Sequence, residues 1–168
     1  DILMISRLEA KDAEVVVSDV RVSVLLEEII DSLKPAAAAG QVFMHCDCQP
    51  LSIKANPQQM KELLSNLVSN AVKYNRPGGQ VWVNIREKDG NMVARVRDNG
   101  VGIPQESLDR IFERFYRVDK GRSRKQGGTG LGLSIVRTLV ESWGGSVSLE
   151  NLHDGGKTGL RARVRFPA

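Results

Sequence analysis

One stretch of the chain carries polar side chains at the spacing of a helical turn. In residues 58–75, five polar side chains fall within one sector of a helix at about 100° per residue. That sector contains Gln59, Glu62, Asn66, Asn70 and Lys73. Asparagine is a poor helix former, so Asn66 and Asn70 in mid-helix suggest a chemical use. Amide oxygens suit Mg²⁺ and the Lys73 ammonium suits phosphate, so the pattern predicts a magnesium and polyphosphate site; a solvated face is the alternative.

A first glycine-containing segment, residues 98–104, follows a predicted strand. The Asp98 carboxylate is an acceptor for an exocyclic amine, and Gly100 and Gly102 remove two Cβ atoms beside it. That arrangement would let a flat ring approach the backbone. The alternative is a simple turn, because Asp-Asn-Gly is a strong turn signal.

A second glycine-containing segment, residues 127–133, reads Gly-Gly-Thr-Gly-Leu-Gly-Leu and leads into a predicted helix. The free N–H groups and positive dipole end of that helix can receive an anion. The segment is not a P-loop, since the Gly-Lys-Ser/Thr lysine is missing, and no strand precedes it as a dinucleotide fingerprint requires. The basic run at residues 114–125 suits a lid over phosphates, with a solvated surface as the alternative.

The elements that must position these segments can be predicted from periodicity and from turn residues. Apolar spacing and helix stops predict helices over 22–39, 58–75 and 131–143, after the last turns of another helix at 1–9. Alternation predicts strands over 14–20, 42–48, 51–55, 80–87, 92–97, 146–151 and 160–166. Helices and strands interleave, yet several strands are joined by hairpins. The expected fold is therefore a two-layer α/β sandwich, a mixed sheet with helices on one face.

Composition excludes several classes of protein. A length of 168 residues favours one domain, and 41% hydrophobic with 26% charged residues excludes wholesale disorder. An aromatic share of 5% leaves no stacking platform for single-stranded nucleic acid. The net charge of +4 suits a phosphate-rich ligand but is too small to indicate nucleic acid. No apolar run is long enough to span a membrane, no signal peptide is present, and the missing initial Met suggests a fragment.

The cysteines, Cys46 and Cys48, are one residue apart on a predicted strand. That spacing points both to one face, where a disulfide would be strained. They are predicted to be two small core residues in a reducing compartment. A metal site is a weak alternative, because the only histidines are His45 and His153.

Taken in order, these segments resemble the catalytic ATP-binding domain of sensor histidine kinases, whose superfamily includes gyrase, mismatch-repair and chaperone ATPases. The boxes of that family are similar to residues 66–74 (N box), 98–102 (first glycine box), 111–119 (F box) and 128–132 (second glycine box). The resemblance covers nearly all of residues 11–168. It implies the Bergerat fold, an α/β (α+β) two-layer sandwich whose largely antiparallel mixed sheet carries three main helices on one face.

The resemblance also implies roles for individual residues, with ATP and Mg²⁺ as cofactors. Asn70 would coordinate Mg²⁺ with help from Asn66, while Asp98 would accept from the adenine amine. The catalytic set would be Asn70, Lys73 and Arg117, the last two contacting phosphates. The nucleotide-binding set would be Asn66, Asn70, Lys73, Tyr74, Asp98, Gly100, Gly102, Ile103, Tyr116, Arg117, Gly128, Thr129, Gly130, Leu131, Gly132 and Leu133. Phe112 and Phe115 would anchor the lid by burial rather than touch ATP.

One position favours a kinase over a hydrolase. Where the related ATPases have a Glu that activates water, this chain has Asn66, an amide without useful basicity. Such a site orients ATP for transfer to an acceptor delivered from outside. The alternatives are an ATPase of the same superfamily or a non-catalytic nucleotide-sensing module.

The resemblance further implies partners that lie outside this chain. Residues 1–10 are similar to the end of an upstream dimerisation-domain helix, and residues 11–168 form the catalytic domain. The acceptor histidine would lie in that dimerisation domain, and neither His45 nor His153 has the helical setting of an acceptor. A response regulator receiver domain would be the further partner, with no nucleic acid and no membrane contact by this domain. The expected location is the cytoplasm, as the cytoplasmic part of a membrane-bound sensor. Asn56, where the family often has Asp, would alter a helix cap at most.

Overall fold

A computed structural model describes residues 16–116, 132–154 and 157–168 of the chain. Its helices are α1 (Val22–Ala39), α2 (Pro57–Lys73) and α3 (Gly132–Ser142), with a 3₁₀ turn at Gln105–Ser107. Its strands are β1 (Ser18–Arg21), β2 (Phe43–Cys48), β3 (Ser52–Ala55), β4 (Gln80–Lys88), β5 (Asn91–Asp98), β6 (Ser146–Asp154) and β7 (Lys157–Pro167).

The predicted elements are confirmed wherever the structure describes them. The helix predicted over 22–39 has those bounds as α1, and α2 and α3 end two residues and one residue before their predicted ends. The strand predicted over 14–20 is shorter, because β1 begins only at Ser18. The helix predicted at 1–9 lies outside the described residues.

The main sheet has five strands in the order β2-β4-β5-β7-β6. Only β2 and β4 run parallel, and the other three pairings are antiparallel, so the sheet is mixed and largely antiparallel as expected. The chain order places β7 inside the sheet, between β5 and β6. The last strand of the chain therefore connects the central hairpin to the edge.

A second, two-stranded sheet of β1 and β3 departs from the single sheet that the sequence predicts. β3 follows β2 closely, yet it pairs antiparallel with β1, placing Val20 opposite Ile53. Both side chains are buried, at 6% and 4% exposure. Pairing with β1 thus buries apolar surface of two short strands beside the start of α1, where Val22 N–H donates to the Leu51 carbonyl at 3.1 Å.

The helices and one face of the main sheet enclose a single core, which completes the two layers. Inward positions alternate along the strands, as period-two burial requires. The inward strand residues include Val81, Val83, Ile85, Met92, Ala94, Val96, Ala162, Val164 and Phe166. They pack against Leu63, Leu64, Leu67, Val68, Ile135, Val136 and Leu139 of α2 and α3. In the described part of the chain, no helix is both long and apolar enough to cross a membrane.

Helix α2 begins with a well-formed cap. The Asn56 side-chain oxygen accepts from the Gln59 backbone N–H at 3.0 Å, and Pro57 occupies the first turn. Asn56 therefore caps the helix as Asp would. Gln59 itself is only 9% exposed, so the polar side of α2 is buried at its first turn. The first turn of α2 lies against the rest of the fold on more than its apolar side.

The prediction that both cysteines belong to the core is wrong for Cys46, which is exposed, while Cys48 packs partly against the core. Both lie on β2, an edge strand that α1 covers only in part. Phe43 on the same strand is 61% exposed because it lies on the other face of the sheet, opposite Gln80. Edge position therefore decides the burial of the two cysteines more than side-chain type does.

Candidate functional site

Helix α2 brings Asn66 and Asn70 to the N-terminus of α3. A Cβ built on Gly132, the first residue of α3, would lie 2.9 Å from Asn66 Oδ1 and 3.7 Å from Asn70 Nδ2. The two predicted segments therefore meet, although they are more than sixty residues apart in the sequence. Glycine is required here because a side chain would occupy the space in front of the amides.

The two amides differ in their hydrogen bonds. Asn66 Nδ2 donates to the Glu62 carbonyl at 2.8 Å, which leaves Asn66 Oδ1 facing Gly132. The half-buried Asn70 side chain makes no hydrogen bond within residues 16–116, 132–154 and 157–168. An amide with unused hydrogen-bonding capacity beside a helix N-terminus is suited to a polar ligand.

These oxygens fit the Mg²⁺ that the sequence predicts. Mg²⁺ takes hard oxygen ligands and usually keeps several waters, so one or two protein oxygens are sufficient beside a polyphosphate. Asn70, with Asn66 one turn away, would be placed to supply them. Over the described ranges, no group of three or more His, Cys, Asp or Glu side chains is placed to hold a metal ion.

The C-terminal end of α2 contacts the first glycine segment. Tyr74 N–H donates to the Asn70 carbonyl at 3.0 Å, and the Tyr74 carbonyl accepts from Val101 N–H at 3.4 Å. A Cβ on Gly100 would lie 2.6 Å from that same Tyr74 oxygen. The exposed Lys73 lies at the last residue of the helix. Backbone contacts thus connect the end of α2 that carries Asn70 to the segment that begins at Asp98.

Asp98 is a buried carboxylate at the end of β5, with 7% of its surface exposed. Its Oδ1 accepts from the Gly100 N–H at 2.9 Å. Burial raises the pKa of Asp98 from 3.8 to about 6, and hydrogen bonds from the Gly100 and Leu160 backbones oppose only part of that rise. A carboxylate kept at such an electrostatic cost is suited to receiving a hydrogen bond from a ligand.

The segment after Asp98 is held by side chains that the sequence reasoning missed. Asn151 on β6 accepts from Ile103 N–H at 2.9 Å and donates to the Ile103 carbonyl, so one side-chain amide forms hydrogen bonds with both backbone groups of Ile103. Gly102 has φ +73°, and a Cβ there would lie 3.0 Å from Asn151 Oδ1. Nothing local in the sequence marks Asn151, since it is 48 residues from Ile103.

Two further side chains hold the backbone of Gly100. Arg76 donates to the Gly100 carbonyl at 2.9 Å and to Thr158 Oγ1 at 2.6 Å. The Thr158 hydroxyl also donates to the Gly100 carbonyl, at 2.7 Å. Arg76, which follows α2, and Thr158 on β7 therefore both donate to one carbonyl, so the loop is held from two sides.

These contacts give a different reason for the glycines than the one the sequence suggested. Protein atoms occupy the Cβ positions: the Tyr74 carbonyl at Gly100 and the Asn151 amide at Gly102. The glycines serve the close packing of the loop against α2 and β6. That packing holds the backbone of Gly100 and Ile103 in place after β5.

The segment before residue 117 forms turns. Tyr116 Oη donates to Ser107 Oγ at 2.9 Å, and the Arg110 guanidinium lies 4.7 Å from the centre of its ring. Phe112 is half-buried, with the Arg137 guanidinium 5.8 Å from its ring. Phe115 has φ +64° and is 59% exposed, so its predicted burial as an anchor is wrong.

The remaining predicted site residues belong to the second glycine segment and to the residues just before it. Leu133 packs partly against the core, on the helix that begins at Gly132. The predicted residues Arg117, Gly128, Thr129, Gly130 and Leu131 lie outside the described residues.

Comparisons with known proteins agree with this geometry. A family model described as "Histidine kinase-, DNA gyrase B-, and HSP90-like ATPase" matches residues 55–168. The chain is 32% identical over 161 residues to the sensor histidine kinase WalK of Bacillus subtilis, covering 94% of this chain and 26% of that protein. It is 34% identical over 158 residues to the signal transduction histidine-protein kinase ArlS of Staphylococcus aureus, covering 94% of this chain and 35% of that protein. The chain thus spans about a quarter to a third of the length of these relatives.

Solved structures show the same fold. Full-length ShkA in complex with AMPPNP is similar with a TM-score of 0.82 and 28% identity, over 99% of this chain and 34% of that one. The mycobacterial sensor histidine kinase MprB is similar with a TM-score of 0.79 and 23% identity, over 90% of this chain and 97% of that one. At this identity, the MprB likeness concerns the fold alone.

Proposed function

This chain belongs to the family of histidine kinase-, DNA gyrase B- and HSP90-like ATPases, as an ATP-binding catalytic domain of the sensor histidine kinase type. We propose that it binds Mg·ATP and donates the γ-phosphoryl group to a histidine on a separate dimerisation domain. The observation that carries the proposal is the meeting of Gly132 with Asn66 and Asn70, connected through Tyr74 and Gly100 to the buried Asp98.

The nucleotide would lie along this line of contacts. Asp98 accepts from the adenine amine, and Ile103, with its backbone held by Asn151, supports the base. The phosphates then reach the N-terminus of α3, where free backbone N–H groups and the helix dipole favour anions. Lys73 and Arg117 would add positive charge beside the phosphates. Arg117, Thr129 and the glycines next to Thr129 would also cover the phosphates.

Asn70 would hold the metal, with Asn66 assisting. When bound, Mg²⁺ neutralises charge on the phosphates and fixes their orientation. Asn66 is held by its hydrogen bond to the Glu62 carbonyl and offers no proton acceptor of useful basicity. The chain's residues therefore position ATP but do not activate water, which favours transfer over hydrolysis.

The proposal has two partners. One is the dimerisation domain that carries the acceptor histidine, whose last helix would end in residues 1–10, and the other is a response regulator receiver domain. The relatives named as sensor histidine kinases support both. The proposed location is the cytoplasm. Neither nucleic acid nor a membrane is needed for the proposed reaction.

Calorimetry with AMPPNP tests the nucleotide site. We expect binding that depends on Mg²⁺, and a loss of at least about 30-fold in affinity for Asn70→Ala, since charge-assisted metal and phosphate contacts contribute roughly 2 kcal/mol or more. Asn84→Ala, an asparagine on the opposite face of the sheet, is the matched control and should bind normally. Equal affinity in wild type and Asn70→Ala contradicts the proposal.

Transfer is tested by adding a separate acceptor-histidine domain from a sensor histidine kinase relative together with labelled ATP. We expect acid-labile label on the acceptor domain and almost none on this chain alone. Steady-state phosphate release comparable to that of dedicated ATPases would contradict transfer and favour hydrolysis instead.

A further inference from the structure

The face of the main sheet that points away from the helices, here called the open face, is rich in arginine. Period-two alternation along β4, β5 and β7 places Arg86, Arg95, Arg97, Arg161, Arg163 and Arg165 on it. The carboxylates Asp47 and Glu150 share this face. None of these arginines takes part in the nucleotide site.

Strand register places arginines directly opposite each other. Arg95 pairs with Arg163, and Arg97 pairs with Arg161, in the antiparallel β5–β7 ladder. Like charges directly opposite on one face of a sheet destabilise it. Two successive pairs of this kind are a local conflict that points to a function, as conflicts with folding rules commonly do.

The second of these pairs is compensated within the protein. Arg161 forms an ion pair with Glu150 at 2.6 Å. Arg97 lies over the Trp82 ring, 4.3 Å from its centre. Each guanidinium of this pair thus has a partner that offsets part of the repulsion.

The first pair has no such compensation. The cross-strand neighbours of Arg95 and Arg163 are Asn84 and Ser148, which are uncharged. Neither arginine forms a hydrogen bond or ion pair over the ranges that the structure describes. The Nε atom of Arg163 is buried and has no hydrogen-bond partner. A buried guanidinium donor left unsatisfied is costly, and an oxyanion bound to the partly exposed Arg163 side chain would offset that cost through its charge.

A depression lies where this pair meets β6. Its volume is about 220 Å³, and its lining consists of Arg95, Ser148, Glu150, Arg161 and Arg163. This space accommodates one oxyanion group together with water, not a nucleotide. Guanidinium forks match the two oxygens of a carboxylate, and the Ser148 hydroxyl is a further donor at the rim.

We propose that this depression binds the carboxylate of an aspartate or glutamate from an acidic segment of a protein partner. The occupant follows from charge complementarity. Glu150 at the rim repels a doubly charged phosphate more strongly than a singly charged carboxylate. The open face is thereby a docking surface separate from the nucleotide site.

The probe for this site is N-acetyl hexaglutamate amide, titrated into the ¹⁵N-labelled chain without Mg²⁺. We expect the Arg163 Nε–H signal to shift on binding. Arg95→Gln and Arg163→Gln should each weaken binding by at least about 10-fold, because a charge-assisted hydrogen bond is lost. Arg165→Gln removes the same charge from the same face and is the matched control, expected to weaken binding less than about threefold. Equal losses in all three variants would show diffuse attraction and overturn the proposal.

Additional titrations test whether the depression prefers a carboxylate to other anions. Inorganic phosphate, duplex DNA and vesicles containing anionic lipid are titrated at the same ionic strength. If any of them binds more tightly than hexaglutamate and loses that binding in Arg95→Gln and Arg163→Gln, the carboxylate proposal is overturned. If hexaglutamate binds more tightly than all three, it is supported.

Thermal unfolding without any probe provides a second readout. Because the Arg95–Arg163 pair is repulsive, Arg163→Gln should raise the unfolding midpoint by roughly 1–3 °C. AMPPNP affinity should stay within about twofold of wild type, since the nucleotide site is on the other face. A lower midpoint in both Arg95→Gln and Arg163→Gln would show that the guanidiniums serve the fold, and would overturn the proposal.

Discussion

Replacing Asp98 by asparagine separates the stability of this domain from its function. The rise in the pKa of Asp98 from 3.8 to about 6 corresponds to about 3 kcal/mol of unfavourable free energy when the buried carboxylate ionises. Asp98→Asn removes that cost but keeps an oxygen that accepts from the Gly100 N–H. The pKa of about 6 already includes the opposing backbone hydrogen bonds, so the variant should be up to about 3 kcal/mol more stable near pH 7.5.

The pH dependence of this difference has a definite sign. Below about pH 3, Asp98 is protonated in both the folded and the unfolded chain, and the stabilising effect of the substitution disappears. As the pH rises from about 4 to about 6, the wild type loses stability because the carboxyl ionises freely in the unfolded chain but resists ionisation while buried. An asparagine side chain does not titrate, so the difference in unfolding free energy should grow by about 3 kcal/mol between pH 3 and pH 7.5.

Urea denaturation at several pH values measures this difference, and calorimetry with AMPPNP measures binding. The side-chain amide introduced at position 98 would present a donor to the adenine amine, so affinity should fall by at least about 30-fold, or roughly 2 kcal/mol. Asp109→Asn, at an exposed position, is the control and should leave both quantities nearly unchanged. A stability difference independent of pH would refute the burial argument, and unchanged affinity would refute the adenine assignment.

Three further sets of substitutions follow from the backbone geometry. Gly132→Ala would place a methyl group 2.9 Å from Asn66 Oδ1, and should weaken Mg·AMPPNP binding by about 10-fold while changing stability by less than about 1 kcal/mol, as calorimetry and urea titrations would show. Gly145→Ala would drive a methyl group into the Arg165 backbone carbonyl, and should destabilise the chain by roughly 2–4 kcal/mol in urea. Asn151→Ala and Thr158→Val each release one side of the loop, and should raise the dissociation constant for AMPPNP by about 5- to 30-fold, as measured by calorimetry.

Each of these substitutions has an outcome that contradicts its reasoning. If Gly132→Ala unfolds the chain as Gly145→Ala does, the space before Asn66 belongs to the core and not to a ligand. If Gly145→Ala is as stable as the wild type, the contact with the Arg165 carbonyl is not a tight one. If Asn151→Asp, which keeps an acceptor for the Ile103 N–H but loses the donor, binds AMPPNP no better than Asn151→Ala, the grip on the loop is not what supports binding.

The part of the site on α2 could be predicted because its signal is local. Asn66, Asn70 and Lys73 lie on one side of one helix, and helical periodicity alone places them together. Their proximity to Gly132 was expected only from the resemblance, since no local pattern relates residues so far apart. The structure supplies the contact.

The supports of the first glycine segment could not be predicted for the same reason. Asn151 and Thr158 come from the β6–β7 hairpin and reach Ile103 and Gly100 only after the sheet has assembled. An isolated Asn or Thr on a strand gives no signal of its partner. Pairing across the fold, not the residue type, creates these contacts.

Burial was the property that patterns predicted least well. Gln59 is buried although its helical position is polar, Cys46 is exposed although cysteine favours cores, and Phe115 is exposed within a turn. In each case the position in the assembled layers overrides side-chain preference. The apolar side of α2 was predicted correctly, because its apolar residues recur at helical spacing along several turns.

The place of β7 has a consequence for how the domain is made in the cell. β7 follows β6 in the chain, yet it lies between β5 and β6 in the sheet and carries Thr158 to the Gly100 carbonyl. A nascent chain that has left the ribosome only as far as β6 has β5 paired with β4 alone, and the Gly100 carbonyl lacks its hydrogen bond from Thr158. The proposed nucleotide site would therefore be completed only after β7 has joined the sheet.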